Sequence, residues 1–220
     1  MKRCRSRDSF TLTELLVTIC IIVVLVAIAF PAYRAAIQHA NSAGCCSRMR
    51  TLGMAFTLYA TDNNEQLPGR VEGAGNNKWP LLLEPYVPDV KTYVDPGDPV
   101  ANQVPVTNLV SNDANNSSFF FNGFNDLGGY TNTGVTVSLT TLTDAANLIL
   151  IGQKIHGSTQ YYMDFVEGNQ DDILNKTAYF GGSNYAFADG SARFLYLSQY
   201  NDDMWLVNQS YVIPAIPAGH

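Results

Sequence analysis

Three histidines, four cysteines and two acidic doublets are the side chains of this 220-residue chain best able to do chemistry. Their spacing argues against most of it. His39 falls in a helical pattern, His156 follows a strand candidate and His220 is the last residue, so no nucleophile stands with a base and an orienting carboxylate. Asp171-Asp172 and Asp202-Asp203 lie in polar stretches and read as solvated loops. Cys4 and Cys20 are isolated, which leaves the adjacent Cys45-Cys46, where a bridge is strained and small apolar packing is the better reading. Asp62-Asn63-Asn64-Glu65 is rich in oxygen but lacks the glycine and distal glutamate of an EF-hand loop, so it reads as a helix cap and turn. With no phosphate-binding glycine loop either, the expectation is a protein that is not an enzyme, with no cofactor and no metal.

The residue most out of place is Glu14. From Leu15 to Phe30 almost every side chain is apolar, and with Phe10 to Thr13 the run reaches roughly 20 residues, enough to cross a hydrocarbon core of ~30 Å as a helix. A carboxylate inside such a helix costs about 2.5–3.5 kcal/mol unless it is paired. Ahead of it, Lys2, Arg3, Arg5 and Arg7 face only Asp8, a basic stub that holds the N-terminus in the cytoplasm and sends the rest across the membrane. A removable signal peptide shares this layout. Its apolar region is shorter, however, and Pro31-Ala32-Tyr33 makes a poor cleavage site.

Ser9-Phe10-Thr11-Leu12-Thr13-Glu14-Leu15-Leu16-Val17 behind a basic leader resembles the processing site of type IV pilins and type II secretion pseudopilins. The resemblance implies that a prepilin peptidase cuts between Ser9 and Phe10 and methylates the Phe10 amine. It makes Glu14 an assembly residue and Pro31 a helix kink. The family usually has glycine where Ser9 stands. Physically, the freed amine of Phe10 lies one helical turn from Glu14 and can pair with it either within one chain or between a chain and its neighbour; in a filament the intermolecular pair would set the axial register, because a buried unpaired charge costs more than a slip in apolar packing.

Four segments follow: residues 1–9 as leader, 10–33 as the transmembrane and assembly half of a long helix, 34–62 as its amphipathic second half, and 63–220 as a globular domain. Ile37, Asn41, Cys45, Met49, Leu52, Phe56 and Tyr59 form one helical stripe, with Arg34, Arg48 and Arg50 off it. Gly44 and Gly53 are expected to bend or fray that helix. Beyond it, Trp79 to Val87 reads as a short helix or turn and Lys91 to Pro96 as an extended piece. Ala101 to Asn116 reads as a variable loop. Strand candidates are Ser118 to Asn125, Val135 to Leu139, Leu148 to Ile151 and Tyr161 to Val166. Alternation on both sides of Asp189-Gly190 predicts a hairpin with a tight type I′ turn.

Two of these places resemble a bacterial subfamily of pilin-like proteins. That group often has Cys-Pro where this chain has Asp95-Pro96, and a histidine ten positions before the Asp of its Asp-Gly turn, where this chain has Tyr179. The expected fold is therefore α+β and pilin-like, a long N-terminal helix packed on an antiparallel sheet. The expected function is that of a structural subunit, a pilin or pseudopilin. Its partners are copies of itself and related pilins, prepilin peptidase and inner-membrane lipid, and its domain lies in the periplasm before entering a filament. Removing the leader leaves nine basic against 18 acidic residues, a formal charge of −9, which argues against nucleic acid. The alternative is a membrane-anchored binding module that presents loops to carbohydrate or another ligand.

Overall fold

A computed structural model of the chain describes residues 11–70, 78–99, 117–127, 136–158, 160–163 and 173–208. Helix α1 runs over Leu12–Asp62, and the chain divides into two compact units between Ala40 and Asn41. In the first unit every described side chain is exposed. Its apolar stretch is long and apolar enough to cross a membrane. The helix continues through Pro31, which has no N–H to offer the carbonyl of Ala27.

In the second unit, helix α2 (Trp79–Leu83) is followed by a 3₁₀ turn and then by strands β1 (Phe119–Asn122), β2 (Ile149–Gln153), β3 (Tyr162–Met163), β4 (Gly182–Phe187) and β5 (Ala192–Tyr196). These form one sheet in the order β3-β1-β2-β4-β5. It is mixed rather than antiparallel as expected, because β3 pairs parallel to β1 while the other pairs are antiparallel. The separation of β1 from β3 in sequence explains this. A parallel neighbour needs a long crossover, and about forty residues, including all of β2, intervene.

The sheet is buried on both faces. Cys45, Met49, Leu52 and Phe56 from α1 pack with Trp79, Tyr93, Phe121 and Leu150 on one side. Phe120, Ile149, Tyr185, Phe187 and Leu195 pack with Trp205 on the other. This is why Phe119-Phe120-Phe121 and Leu148 to Ile151 are unbroken apolar runs rather than alternating ones. Phe121 stacks on Phe56 with ring centroids 4.5 Å apart, and Phe120 on Trp205 at 5.3 Å. Ile37, placed on the packing stripe by its spacing, is instead exposed.

Several expectations are corrected. Residues 136–138 of the proposed strand Val135 to Leu139 make only an isolated bridge from Ser138 to Gln66, after which a 3₁₀ turn begins at Leu139. Val90–Tyr93 is a 3₁₀ turn rather than an extended piece, because the Asp89 carboxylate accepts the Lys91 N–H and caps it. Nor do the glycines of α1 break it: a Cβ on Gly44 would lie 3.1 Å from Pro96 and one on Gly53 3.2 Å from the Gly190 carbonyl. They are places of close approach. The loop expected over Ala101 to Asn116 lies outside the described residues, as do the residues of the Tyr161 to Val166 candidate beyond Met163.

Candidate functional site

At its N-terminus α1 is closed by a reciprocal pair. The Thr11 N–H donates to Oε2 of Glu14 at 2.9 Å, the Thr11 hydroxyl donates to the same oxygen at 2.7 Å, and the Glu14 N–H donates back to the Thr11 hydroxyl at 3.2 Å. This is a capping box, in which a hydroxyl residue and a carboxylate three positions later satisfy each other's backbone N–H groups. Both side-chain bonds go to Oε2. Further along, the Thr18 hydroxyl donates to the Leu15 carbonyl at 2.8 Å, so that polar group is satisfied within the helix. Near the end of the apolar run the Arg34 guanidinium lies 4.5 Å from the centroid of the Phe30 ring. Ser9 and Phe10, the expected cleavage residues, lie outside the described residues.

Asp189 and Gly190 do close the β4–β5 hairpin, but not as a type I′ turn. Gly190 has φ +80° while Asp189 is not among the residues with positive φ. The Gly190 N–H donates to the Phe187 carbonyl and the Phe187 N–H to the Ser191 carbonyl, which makes a three-residue loop of a type I turn followed by a glycine bulge. The Asp189 carboxylate accepts the Ser191 N–H at 2.8 Å. Only the glycine needs the left-handed conformation, and the aspartate braces the loop.

Near Pro96 the chain buries a polar cluster. Asp95 accepts from the Tyr179 hydroxyl, the Gln153 amide and, at 2.9 Å, the Gly97 N–H. Asp95 and Tyr179, 84 positions apart in the sequence, thus meet in one hydrogen bond. Gln153 in turn accepts from the Ser183 hydroxyl and the Asn184 N–H, both at 2.8 Å, and Asn184 donates to Ser42 on α1 at 3.2 Å. Burial, and then the Asp95 carboxylate, raise the Tyr179 phenol well above its ordinary pKa, so it remains a donor. Burial likewise raises the Cys45 thiol, which makes it an inert packing residue. Beside this cluster Asp98 accepts from Ser118 at 2.7 Å and faces His156 Nδ1 at 3.1 Å. The carboxylate stands between hydroxyl and imidazole, so the imidazole is not placed to take the hydroxyl proton. The enclosed space here is about 40 Å³, of a size for water rather than a substrate.

A larger cleft of about 380 Å³ lies between residues 141–148 and 201–207, and its lining includes Asp144, Asn147, Asp203, Leu142 and Leu206. Among the described residues no aromatic ring lines it. Asp202 is not paired with Asp203 but accepts from the Tyr200 hydroxyl at 2.6 Å and lies 3.5 Å from Lys176. Among the described residues no three histidine, cysteine, aspartate or glutamate side chains converge as a metal set.

Sequence reasoning passed over Thr11, whose signal was present as a threonine three positions before a glutamate at the start of an apolar run. It also passed over Gln153 and Asn184, which carry no local signal because their partners are remote in sequence. No protein-family model, no curated protein and no solved structure matches the chain.

Proposed function

We propose that the chain is a pilin or pseudopilin subunit, cut between Ser9 and Phe10 and assembled through α1 into a type IV pilus-like or type II secretion filament. The observation that supports this best is the state of Glu14. The first unit's stretch of α1, in which every described side chain is exposed, carries one carboxylate among its described residues, and Glu14 holds its own helix N-terminus through Oε2. Among the described residues, no bond engages Oε1. Such a group is stable in a bilayer before assembly and still has an acceptor for the Phe10 amine of a neighbouring chain. In the filament the apolar stretches of several subunits cover one another, and each amine–carboxylate pair fixes the stagger of two of them. The unit beyond Ala40 is the part displayed on the filament surface.

Mass spectrometry of the N-terminal peptide from the native membrane tests the processing step. The expected peptide begins at a methylated Phe10. A mature chain beginning near Tyr33 would mean a removed signal peptide and would end the pilin reading.

A further inference from the structure

Both walls of the cleft of about 380 Å³ are held in place from behind. On one, Asp144 opens a turn in which its carbonyl accepts the Asn147 and Leu148 N–H groups at 3.2 and 3.1 Å. From β5 the Arg193 guanidinium, 3.8 Å from the centroid of the Phe187 ring, donates to the Ala146 carbonyl at 2.8 Å and to Asn147 Oδ1 at 3.1 Å. The Asn147 amide is thereby turned so that its Nδ2 lies 3.0 Å from each oxygen of the Asp144 carboxylate. On the other wall a 3₁₀ turn over Asp202–Trp205 is anchored by the fully buried Trp205 and capped by Asn201, whose Oδ1 accepts the Asp203 N–H at 3.2 Å and whose Nδ2 donates to Asp203 Oδ2 at 3.0 Å. Each wall thus presents an exposed aspartate in a set orientation.

What the walls enclose is amphipathic. Leu142, Leu148, Met204 and Val207 line the cleft together with the two aspartates, and among the described residues no lysine or arginine does. A carboxylate offers about four acceptor positions. Asn147 accounts for part of those on Asp144, and among the described residues no bond engages Asp203 Oδ1 and neither aspartate is ion-paired. An uncharged apolar ligand would strip water from both carboxylates and return nothing for it. A calcium ion would need about six to eight converging oxygens, whereas among the described residues no three acidic or histidine side chains converge. The chemistry left is that of an organic cation, with a charged head for the aspartates and an aliphatic stem for the leucines and methionine. The volume lies near the low end of the range for ligand pockets, about 300–1,000 Å³, and suits one such group.

We propose that this cleft binds a primary alkylammonium group, the chemistry shared by a lysine side chain and a free aliphatic amine. The ammonium sits between Asp144 and Asp203 and donates charge-assisted hydrogen bonds to them, while the stem lies against Leu142 and Met204. The site belongs wholly to the unit beyond Ala40. It depends on neither cleavage at Phe10 nor filament assembly, so it can fail while those stand.

The test follows the methionine methyl NMR signals of the full chain in neutral-detergent micelles, with n-pentylamine and N-acetyl-lysine methylamide as probes. The expected result is a saturable shift of the Met204 methyl that weakens with added salt, and none at Met54, which lies on α1 and does not line the cleft. The probe that binds more tightly names the source of the group. Asp144→Asn and Asp203→Asn keep the shape of the side chain and should each weaken binding about tenfold or more. Unchanged signals from Met49 and Met163, buried on opposite faces of the sheet, show that each substituted chain is folded. Pentanol has the stem without the charge and should leave Met204 unshifted. No saturable shift with either amine, an equal shift with pentanol, or binding that survives both substitutions would overturn the proposal. Calcium that displaces the amine would overturn it too, by making the cleft a metal site.

Discussion

Thr11 and Glu14 divide one task between them, and substitutions separate the parts. Replacing the threonine hydroxyl removes the bond from the Glu14 N–H and one of the two bonds to its carboxylate. Thr11→Ala is expected to cost the first turn about 1 kcal/mol, the usual worth of such a cap. The measurement is faster amide exchange over residues 13–15 in membrane-embedded protein, with anchoring retained. At the buried cluster, Tyr179→Phe leaves Asp95 without one of its donors, and a carboxylate deprived of a buried donor costs about 1–3 kcal/mol. Because the tyrosine and the aspartate act together, Asp95→Asn with Tyr179→Phe should cost less than the sum of the single changes. Denaturant unfolding of the four proteins in detergent gives that coupling, and strict additivity would mean that the hydrogen bond contributes nothing.

Among the elements, the long helix and the terminal hairpin were the most legible in the sequence, for different reasons. The stripe of Cys45, Met49, Leu52 and Phe56 has the helical period and is buried throughout. Asp189-Gly190 named the hairpin but not its turn type, because a glycine at positive φ serves a type I turn with a bulge as well as a type I′ turn. The parallel β1–β3 pairing was not legible, since nothing in two short apolar strands records direction. Gly44 and Gly53 were misread because propensity speaks only of the isolated helix, while the turn lying against Gly53 belongs to a hairpin more than a hundred residues later. That contact predicts that Gly53→Leu destabilises the second unit by about 1–3 kcal/mol through overpacking, although leucine is the better helix former. Thermal unfolding measures it, and a raised melting temperature would show that propensity outweighs the fit to the hairpin.

At the scale of the whole molecule, one segment is long and apolar enough to cross a membrane, and the unit beyond Ala40 has its own buried core. The sequence shows that division because a run of apolar residues longer than any core helix needs, set behind four basic residues, leaves few alternatives. Glu14 is legible for the same reason, since one carboxylate among apolar neighbours stands out on cost alone. The buried polar cluster stayed hidden because Asp95, Gln153 and Tyr179 become neighbours only when the sheet forms. The charge bias predicts that a reporter fused at His220 is active only outside the cytoplasm. Topology alone is common to anchors of every kind, so the decisive measurement concerns Glu14. Glu14→Leu makes α1 more apolar, and membrane fractionation is expected to find the protein processed, anchored and folded, while filament counts on the same cells fall sharply. Glu14→Asp should fall between, with the charge kept and the reach shortened by one methylene. Filaments of normal number built from Glu14→Leu protein would contradict the account, because the carboxylate would then set no register between subunits.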